Sequence, residues 1–202
     1  RASPSGSKVS ELGRRLVHAS GAGLPALYLL SLVDWSTLQI LLLGFAGVAI
    51  VLEVLRLSVG LDWAIYDRLT REYEQDNPAG YALYAVSMAL VGLVFPPPVA
   101  VPGMLMLALA DPVSGVLGSA GVREWKSPPV LFATFGLCFV LAVPFTVGAR
   151  GPAVGALAAA VGAAGAAVAD GYKPRVAGFV IDDNASIPIL ACTGIALVFG
   201  LA

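Results

Sequence analysis

Apolar residues form long runs along this chain, and short polar or proline-rich stretches separate the runs. A helix that crosses a bilayer needs about 20 mostly apolar residues, and fewer where the helix is short. The pattern therefore predicts about seven membrane-spanning helices in an all-α fold, a polytopic membrane helix bundle forming a single domain over residues 1–202. The predicted spans are 16–33, 36–57, 81–95, 99–117, 129–147, 152–169 and 187–201, the fourth interrupted at Asp111-Pro112.

Two segments depart from this pattern. Residues 58–80 combine seven charged side chains with apolar residues at helical spacing. Such a segment is typical of an amphipathic helix on the membrane surface, here on the cytoplasmic side. Residues 1–10 are polar, so we expect a tail there and no cleavable signal peptide.

The composition agrees with a membrane protein. Hydrophobic residues make up 58% of the chain and charged residues 12%, with a mean hydropathy of +0.85, whereas soluble domains carry about 25% charged residues. A net charge of −1 leaves no basic face for nucleic acid. Cys138 and Cys192 lie in apolar runs, so we expect buried thiols rather than a disulfide or metal ligands.

Basic residues are distributed unevenly over the predicted loops. With seven spans, eleven of them share the side of the N-terminus and only Arg150 lies on the other side. Because positively charged loops stay in the cytoplasm, we expect a cytoplasmic N-terminus and an external C-terminus. The polar residues beside the spans fall on the cytoplasmic side too, except Asp34. We expect an active site facing the cytoplasm, in the plasma membrane of a prokaryote, and the arginine-rich composition favours an archaeal source.

Asp182, Asp183 and Asn184 stand directly before the last apolar run. A carboxylate at mid-bilayer costs roughly 2.5–3.5 kcal/mol, so ionisable groups near membrane segments usually mark functional sites. Carboxylate and amide oxygens are ligands that Mg²⁺ prefers, and Mg²⁺ commonly binds together with nucleotide phosphates. This stretch therefore predicts a magnesium–nucleotide site. The structural alternative is a loop that caps the last helix.

Four parts of the chain, taken in order, resemble one family. They are residues 11–18 (ELGRRLVH), residues 108–118 (ALADPVSGVLG), Asp170 and residues 182–188 (DDNASIP). This set resembles the CTP-dependent polyprenol kinases, which include dolichol kinases, phytol kinases and a diacylglycerol kinase branch. After Lys126-Ser127 the family commonly has any residue and then a Glu-Gly pair, whereas this chain has Pro128-Pro129-Val130 and so lacks that Glu and Gly. It also has Asp170 where the family has a Glu.

The resemblance implies transfer of the γ-phosphate of CTP to the terminal hydroxyl of a long-chain isoprenoid alcohol such as dolichol. Such a reaction depends on positioning and on neutralising charge with Mg²⁺ and cations. The candidate Mg²⁺ ligands are Asp182, Asp183, Asp111 and Asp170. The candidates for binding the nucleotide and its phosphates are Arg14, Arg15, Lys126, Ser127, Lys173 and Asn184. The catalytic candidates are Asp182, Asp183, Asp111 and His18, and one carboxylate or His18 would accept the proton of the alcohol.

Structural and functional alternatives accompany this interpretation. Glu53 and Arg56 are three residues apart and are predicted to pair with each other. The structural alternative for His18 is a hydrogen bond to the end of a neighbouring helix. The glycine-rich run 152–169 predicts close helix packing rather than a phosphate loop. The rival functions are a cytidylyltransferase that forms a CDP-lipid and a small transporter.

Overall fold

The computed structural model describes residue 13 and residues 15–59, 78–176 and 179–201. The predicted tail (1–10), Arg14 and most of the predicted amphipathic segment 58–80 lie outside the described residues. The fold is mostly helical. Its helices are α1 (Gly23–Leu29), α2 (Trp35–Val59), α3 (Gly80–Val94), α4 (Pro97–Leu105), α5 (Asp111–Leu117), α6 (Pro128–Gly171) and α7 (Asp183–Leu201), and residues 15–20 add a short helical segment.

Four helical stretches within the described residues are long and apolar enough to cross a membrane by length and composition. They are Trp35–Ser58, Pro97–Leu117, Pro128–Gly171 and Asp183–Leu201, and α3 is a shorter apolar helix. The apolar helices therefore support the prediction of a membrane protein. The number of seven spans and their orientation stay predictions.

The 44-residue helix α6 is bent sharply at Gly151, where φ is 75° and ψ is 173°. Glycine adopts this left-handed conformation without the steric cost that a side chain would add. After the bend the chain folds back, and a Cβ at Gly155 would lie 2.6 Å from the Thr146 carbonyl oxygen. At the other end of the hairpin, the Thr134 hydroxyl is 3.4 Å from the Asp170 carboxylate. The bend falls between the two predicted spans 129–147 and 152–169.

Residues 16–33 do not form the single continuous helix that was predicted. A turn at Gly21 and Ala22 separates the helical residues 15–20 from α1. A side chain at Gly21 would overlap the Tyr84 hydroxyl of α3. Pro25 has no N–H to donate to the Gly21 carbonyl, which instead accepts the Leu24 N–H at 3.2 Å. Gly21, Gly23 and Pro25 are therefore local signals of this break within the apolar run.

The predicted interruption at Asp111-Pro112 is a change of helical geometry and not a break in the chain direction, because α4 passes into α5 through a π-helical turn, Met106–Ala110. The Asp111 N–H bonds the Met106 carbonyl, five residues earlier. The Leu107 carbonyl thereby loses its α-helical donor, and its π-helical donor would be Pro112, which has no N–H. His18 Nε2 lies 2.9 Å from this Leu107 oxygen and donates to it, since a carbonyl can only accept. The helix thus stays continuous while a side chain from another segment satisfies its free carbonyl.

The ion pair that the sequence predicts forms within α2, and its carboxylate also bonds the start of α3. Arg56 Nη2 lies 2.6 Å from Glu53 Oε1. The Ala79 N–H and the Tyr81 hydroxyl also donate to the Glu53 carboxylate, at 2.8 and 2.5 Å. The prediction of a structural pair is confirmed, because the buried carboxylate is satisfied by three donors within the helix junction.

Two short strands correct the all-α prediction. Arg175–Val176 (β1) pairs antiparallel with Phe179–Val180 (β2) in the connection between α6 and α7. The Ile181 N–H closes this hairpin on the Pro174 carbonyl, at 2.8 Å. Two-residue strands carry no usable alternation, so the sequence pattern gives no signal for them.

Candidate functional site

Three carboxylates from distant parts of the chain meet at one point. Asp111 begins α5, Asp170 lies in the last turn of α6, and Asp183 begins α7. Their oxygen atoms lie within 4.8 Å of one another. Asp170 and Asp183 are buried and Asp111 is nearly so. Oxygen donors this close are suited to a hard divalent cation.

Local structure places each carboxylate. Asp111 follows the π-helical turn, and Asp170 is carried back to it by the bend in α6. Asp182 is the N-cap of α7, because its Oδ1 accepts the Asn184 N–H at 3.0 Å and its carbonyl accepts the N–H of Ser186 at 3.1 Å. This cap fixes the first turn of α7 and so orients Asp183.

Asp170 anchors a buried network of polar side chains. Lys126 Nζ is 2.7 Å from Asp170 Oδ1 and 3.0 Å from Ser114 Oγ. Ser114 in turn donates to Asp170 Oδ2 at 2.5 Å, and Thr134 lies 3.4 Å from the same oxygen. All four side chains are buried. Because an unpaired buried charge is costly, the ammonium and the carboxylate stabilise each other's charged form.

A second lysine pairs with Asp183. Lys173 Nζ lies 2.6 Å from Asp183 Oδ2. Backbone bonds hold the two lysine segments side by side, because the Lys126 N–H donates to the Gly171 carbonyl and the Arg123 N–H to the Lys173 carbonyl. Both ammonium groups therefore border the carboxylate cluster.

The N-terminal helical segment contributes His18 and Arg15. His18 Nε2 is 3.5 Å from Asp111 Oδ2, while it donates to the Leu107 carbonyl. In the neutral ring the lone pair is then on Nδ1. Arg15 Nη1 donates to the Pro112 carbonyl at 3.0 Å, and its guanidinium packs on Gly115, where a side chain would displace it.

A cavity of about 390 Å³ opens onto these groups, and we call it the polar cavity. It is lined by Asp111, Asp170, Asp183, Lys126, Lys173, Arg15 and His18, together with residues of the 119–122 loop. Its volume lies within the range of roughly 300–1,000 Å³ that is usual for small-ligand sites.

A second cavity of about 360 Å³ lies beside the first, and we call it the apolar cavity. Val17, Leu24 and Phe45 supply its apolar lining. His18 lines both cavities, whereas Asn184 lines the apolar one and its neighbour Asp183 the polar one. The wall between the two cavities therefore includes His18 and the start of α7.

The remaining predicted site residues lie elsewhere. Asp182 is buried but serves as a helix cap and does not line the polar cavity. Ser127 is exposed at the start of α6, where its carbonyl accepts the Val130 N–H. Asn184 faces the apolar cavity rather than the phosphate-binding candidates. Arg14 is outside the described residues.

Sequence reasoning missed Ser114 and Thr134 as partners of Asp170. Ser114 follows Asp111 by three residues, so both share one face of α5. That spacing is a signal that the sequence contains. Thr134 carries no comparable signal, because its role depends on the bend that returns Asp170 to the start of α6.

Comparison of the chain with protein-family models, with curated proteins and with solved structures gives no match.

Proposed function

We propose that this protein is a membrane-embedded phosphotransferase that uses a nucleoside triphosphate. More specifically, we propose a lipid kinase that transfers the γ-phosphate of CTP to the terminal hydroxyl of a long-chain isoprenoid alcohol such as dolichol. The observation that carries the proposal is the meeting of Asp111, Asp170 and Asp183 within 4.8 Å. Lys126 and Lys173 border this cluster, and the apolar cavity lies next to it.

The donor set suits Mg²⁺, because carboxylate oxygens are the ligands that this ion prefers. Asp111, Asp170 and Asp183 would hold the ion, which would neutralise phosphate charge when bound. Lys126 and Lys173 already contact two of these carboxylates, so both ammonium groups lie where phosphate oxygens would approach the ion. Arg15 supplies a further cation at the edge of the polar cavity.

The proposed reaction is a single displacement at phosphorus. The alcohol oxygen forms a bond to the γ-phosphorus as the bond from that phosphorus to the β,γ-bridging oxygen breaks. The leaving electron pair stays on CDP, and the hydroxyl proton passes to a base. The candidate bases are the Asp111 carboxylate and His18 Nδ1, since His18 Nε2 donates to the Leu107 carbonyl.

The proposed setting follows from the sequence pattern. A seven-span bundle with a cytoplasmic N-terminus would put the three-carboxylate site at the inner leaflet, where nucleotides are available. We propose the plasma membrane of a prokaryote as the location. The isoprenoid chain of the acceptor would then lie in the bilayer, with its hydroxyl at the cytoplasmic surface.

The proposal is tested with CTP that is labelled either at the γ- or at the α-phosphate. Purified protein in mixed micelles is incubated with Mg²⁺ and a panel of dolichol, phytol, geranylgeraniol and diacylglycerol. A kinase moves the γ-label into lipid, leaves the α-label in CDP and releases no pyrophosphate. The same incubation with phosphatidic acid and dolichyl phosphate tests the rival, because a cytidylyltransferase needs a lipid phosphate as acceptor. Transfer of the α-label to that lipid phosphate with release of pyrophosphate would identify a cytidylyltransferase, and γ-label in none of the alcohols would overturn the proposal.

A further inference from the structure

We propose that the apolar cavity is the acceptor site, and that the side-chain oxygen of Asn184 accepts a hydrogen bond from the hydroxyl of the lipid alcohol. The inference rests on the proposed function, because it assigns one of the two substrates of that reaction to a place. It also separates Asn184 from the phosphate-binding residues with which the sequence grouped it.

Asn184 carries a buried oxygen that lacks a hydrogen-bond donor. Its side chain is 97% buried, and its Oδ1 has no partner among the described residues. The orientation of the amide is fixed, because its Nδ2 donates to Asp182 Oδ1 at 2.6 Å and a carboxylate can only accept. A buried acceptor without a donor costs about 1–3 kcal/mol. A ligand that brings an O–H or N–H group to this oxygen would recover that free energy.

The lining of the apolar cavity limits the class of that ligand. Val17, Leu24 and Phe45 provide an apolar surface, and the polar atoms come from side chains such as Tyr81 and Tyr84. Within the described lining there is no Asp, Glu, Lys or Arg. A phosphorylated or zwitterionic headgroup would find no charged partner here, whereas an alcohol has one hydroxyl and an apolar chain.

Two of the large apolar side chains that line the apolar cavity are themselves exposed. Val17 is 60% exposed and Phe45 is 40% exposed, although both are large apolar side chains. Phe45 belongs to α2, which is one of the candidate membrane spans. Large apolar side chains of a spanning helix face lipid without cost, so an isoprenoid chain can pass between Val17 and Phe45 into the bilayer.

The position of Asn184 brings an alcohol at this site close to the carboxylates. Asn184 follows Asp183 directly, and the two side chains line different cavities. His18 lines both cavities and lies 3.5 Å from Asp111. A hydroxyl bound to Asn184 Oδ1 would therefore lie next to the carboxylate cluster, on the side where His18 adjoins both cavities.

The test compares tryptophan substitutions at two adjacent, equally exposed positions. Val17 lines the apolar cavity, whereas Leu16 is 63% exposed and lines neither cavity. Val17→Trp should raise the KM for the alcohol by about tenfold or more, since it fills the acceptor site, and should leave the KM for CTP unchanged. Leu16→Trp should match the wild type in both constants. Asn184→Leu should likewise raise the KM for the alcohol and not that for CTP.

A binding measurement separates this inference from the proposed function. A diazirine-bearing prenyl alcohol is irradiated with the wild-type protein without nucleotide, and the modified peptides are mapped by mass spectrometry. We expect adducts at Val17, Leu24 or Phe45. Unlabelled geranylgeraniol should reduce them by competition. The Val17→Trp substitution should also reduce them, whereas Leu16→Trp should not. If the wild type phosphorylates an alcohol, and Val17→Trp and Asn184→Leu have the same KM for that alcohol as the wild type, the proposed acceptor site is wrong. The proposed kinase activity would then still be supported. Adducts in the cavity without any phosphorylation would support the site and count against the kinase.

Discussion

At the residue scale, the adjacent carboxylates Asp182 and Asp183 have different roles. Asp182 accepts hydrogen bonds from the backbone and side chain of Asn184. Asp183 pairs with Lys173 and joins the carboxylate cluster. One residue therefore builds the first turn of α7, and the next one contributes to the site that this turn orients.

This division of roles is tested by Asp182→Ala and Asp183→Asn. Loss of the cap should lower the free energy of unfolding by about 1 kcal/mol, because the N–H groups of the first turn lose their acceptor. Activity per folded molecule should fall less in Asp182→Ala than in Asp183→Asn, because Asp182 acts only by orienting Asp183 and the Asn184 amide. In Asp183→Asn, kcat should fall by roughly 10²–10³, as when one charge-stabilising group is removed from an active site.

Thermal unfolding in detergent and initial rates of lipid phosphorylation measure both effects. A variant of the exposed Asp34, Asp34→Asn, is the matched control, since asparagine also caps a helix and this position is far from the cluster in sequence. If Asp182→Ala lost activity as severely as Asp183→Asn while its stability stayed unchanged, the assigned roles would be wrong.

Several site residues were predictable because ionisable side chains stand out beside apolar runs. Asp111, Asp170, Lys126 and Lys173 all belong to this group, and the structure brings them together. The sequence did not separate Asp182 from Asp183, because both stand at the start of the same helix. That distinction depends on side-chain direction in the first turn of α7, which composition does not encode.

At the element scale, α6 and α7 owe their close packing to glycine. A Cβ at Gly165 would lie 2.8 Å from the Leu190 carbonyl oxygen, and one at Gly194 would lie 3.1 Å from the Val161 carbonyl oxygen. Backbone therefore meets backbone at this interface, as the glycine-rich run predicted. Small residues allow this approach where lipid supplies no hydrophobic driving force between helices.

Gly165→Ala should destabilise the protein by about 1–3 kcal/mol, because the new methyl group forces two helix backbones apart. Gly136→Ala is the control within the same helix α6, since a Cβ at Gly136 meets no atom within 4 Å. That control should leave the unfolding temperature unchanged or raise it slightly, since alanine favours the helix. Equal stability of the two variants would show that the backbones of α6 and α7 are not in close contact at Gly165.

Most helix positions followed from apolar runs, as α2 and α3 illustrate. The exceptions lie beside prolines, which remove a helical N–H. The helix stops before α1 where Pro25 cannot donate to the Gly21 carbonyl, and it changes to a π-helical turn before Pro112. What the sequence does not reveal is the distant partner of each irregularity, namely Tyr84 packed against Gly21 and His18 bonded to the Leu107 carbonyl.

At the scale of the whole molecule, the polar cavity forms only when four parts of the chain meet. His18 comes from the N-terminal segment, Asp111 from α5, Asp170 from α6 and Asp183 from α7. The four segments that resemble the polyprenol kinases suggested that these side chains would come together. Neither the distances between them nor the apolar cavity could be derived from the sequence. The orientation of this site toward the cytoplasm stays a prediction from the distribution of basic residues.

Asp111 offers the clearest variant for testing the central claim. Asp170 and Asp183 each pair with a lysine, so their removal leaves a cation without its partner. Among the described residues, Asp111 has only His18 at ion-pair distance. Asp111→Asn therefore changes the carboxylate cluster with the least disturbance of the fold.

The most direct measurement is the initial rate at which γ-labelled CTP delivers label to an isoprenoid alcohol, compared between wild type, Asp111→Asn and Asp34→Asn. We expect transfer by the wild type and by Asp34→Asn, and a loss of about 10²-fold or more in a folded Asp111→Asn protein. Equal rates in Asp111→Asn and wild type, or no labelled lipid from the wild type, would contradict this expectation.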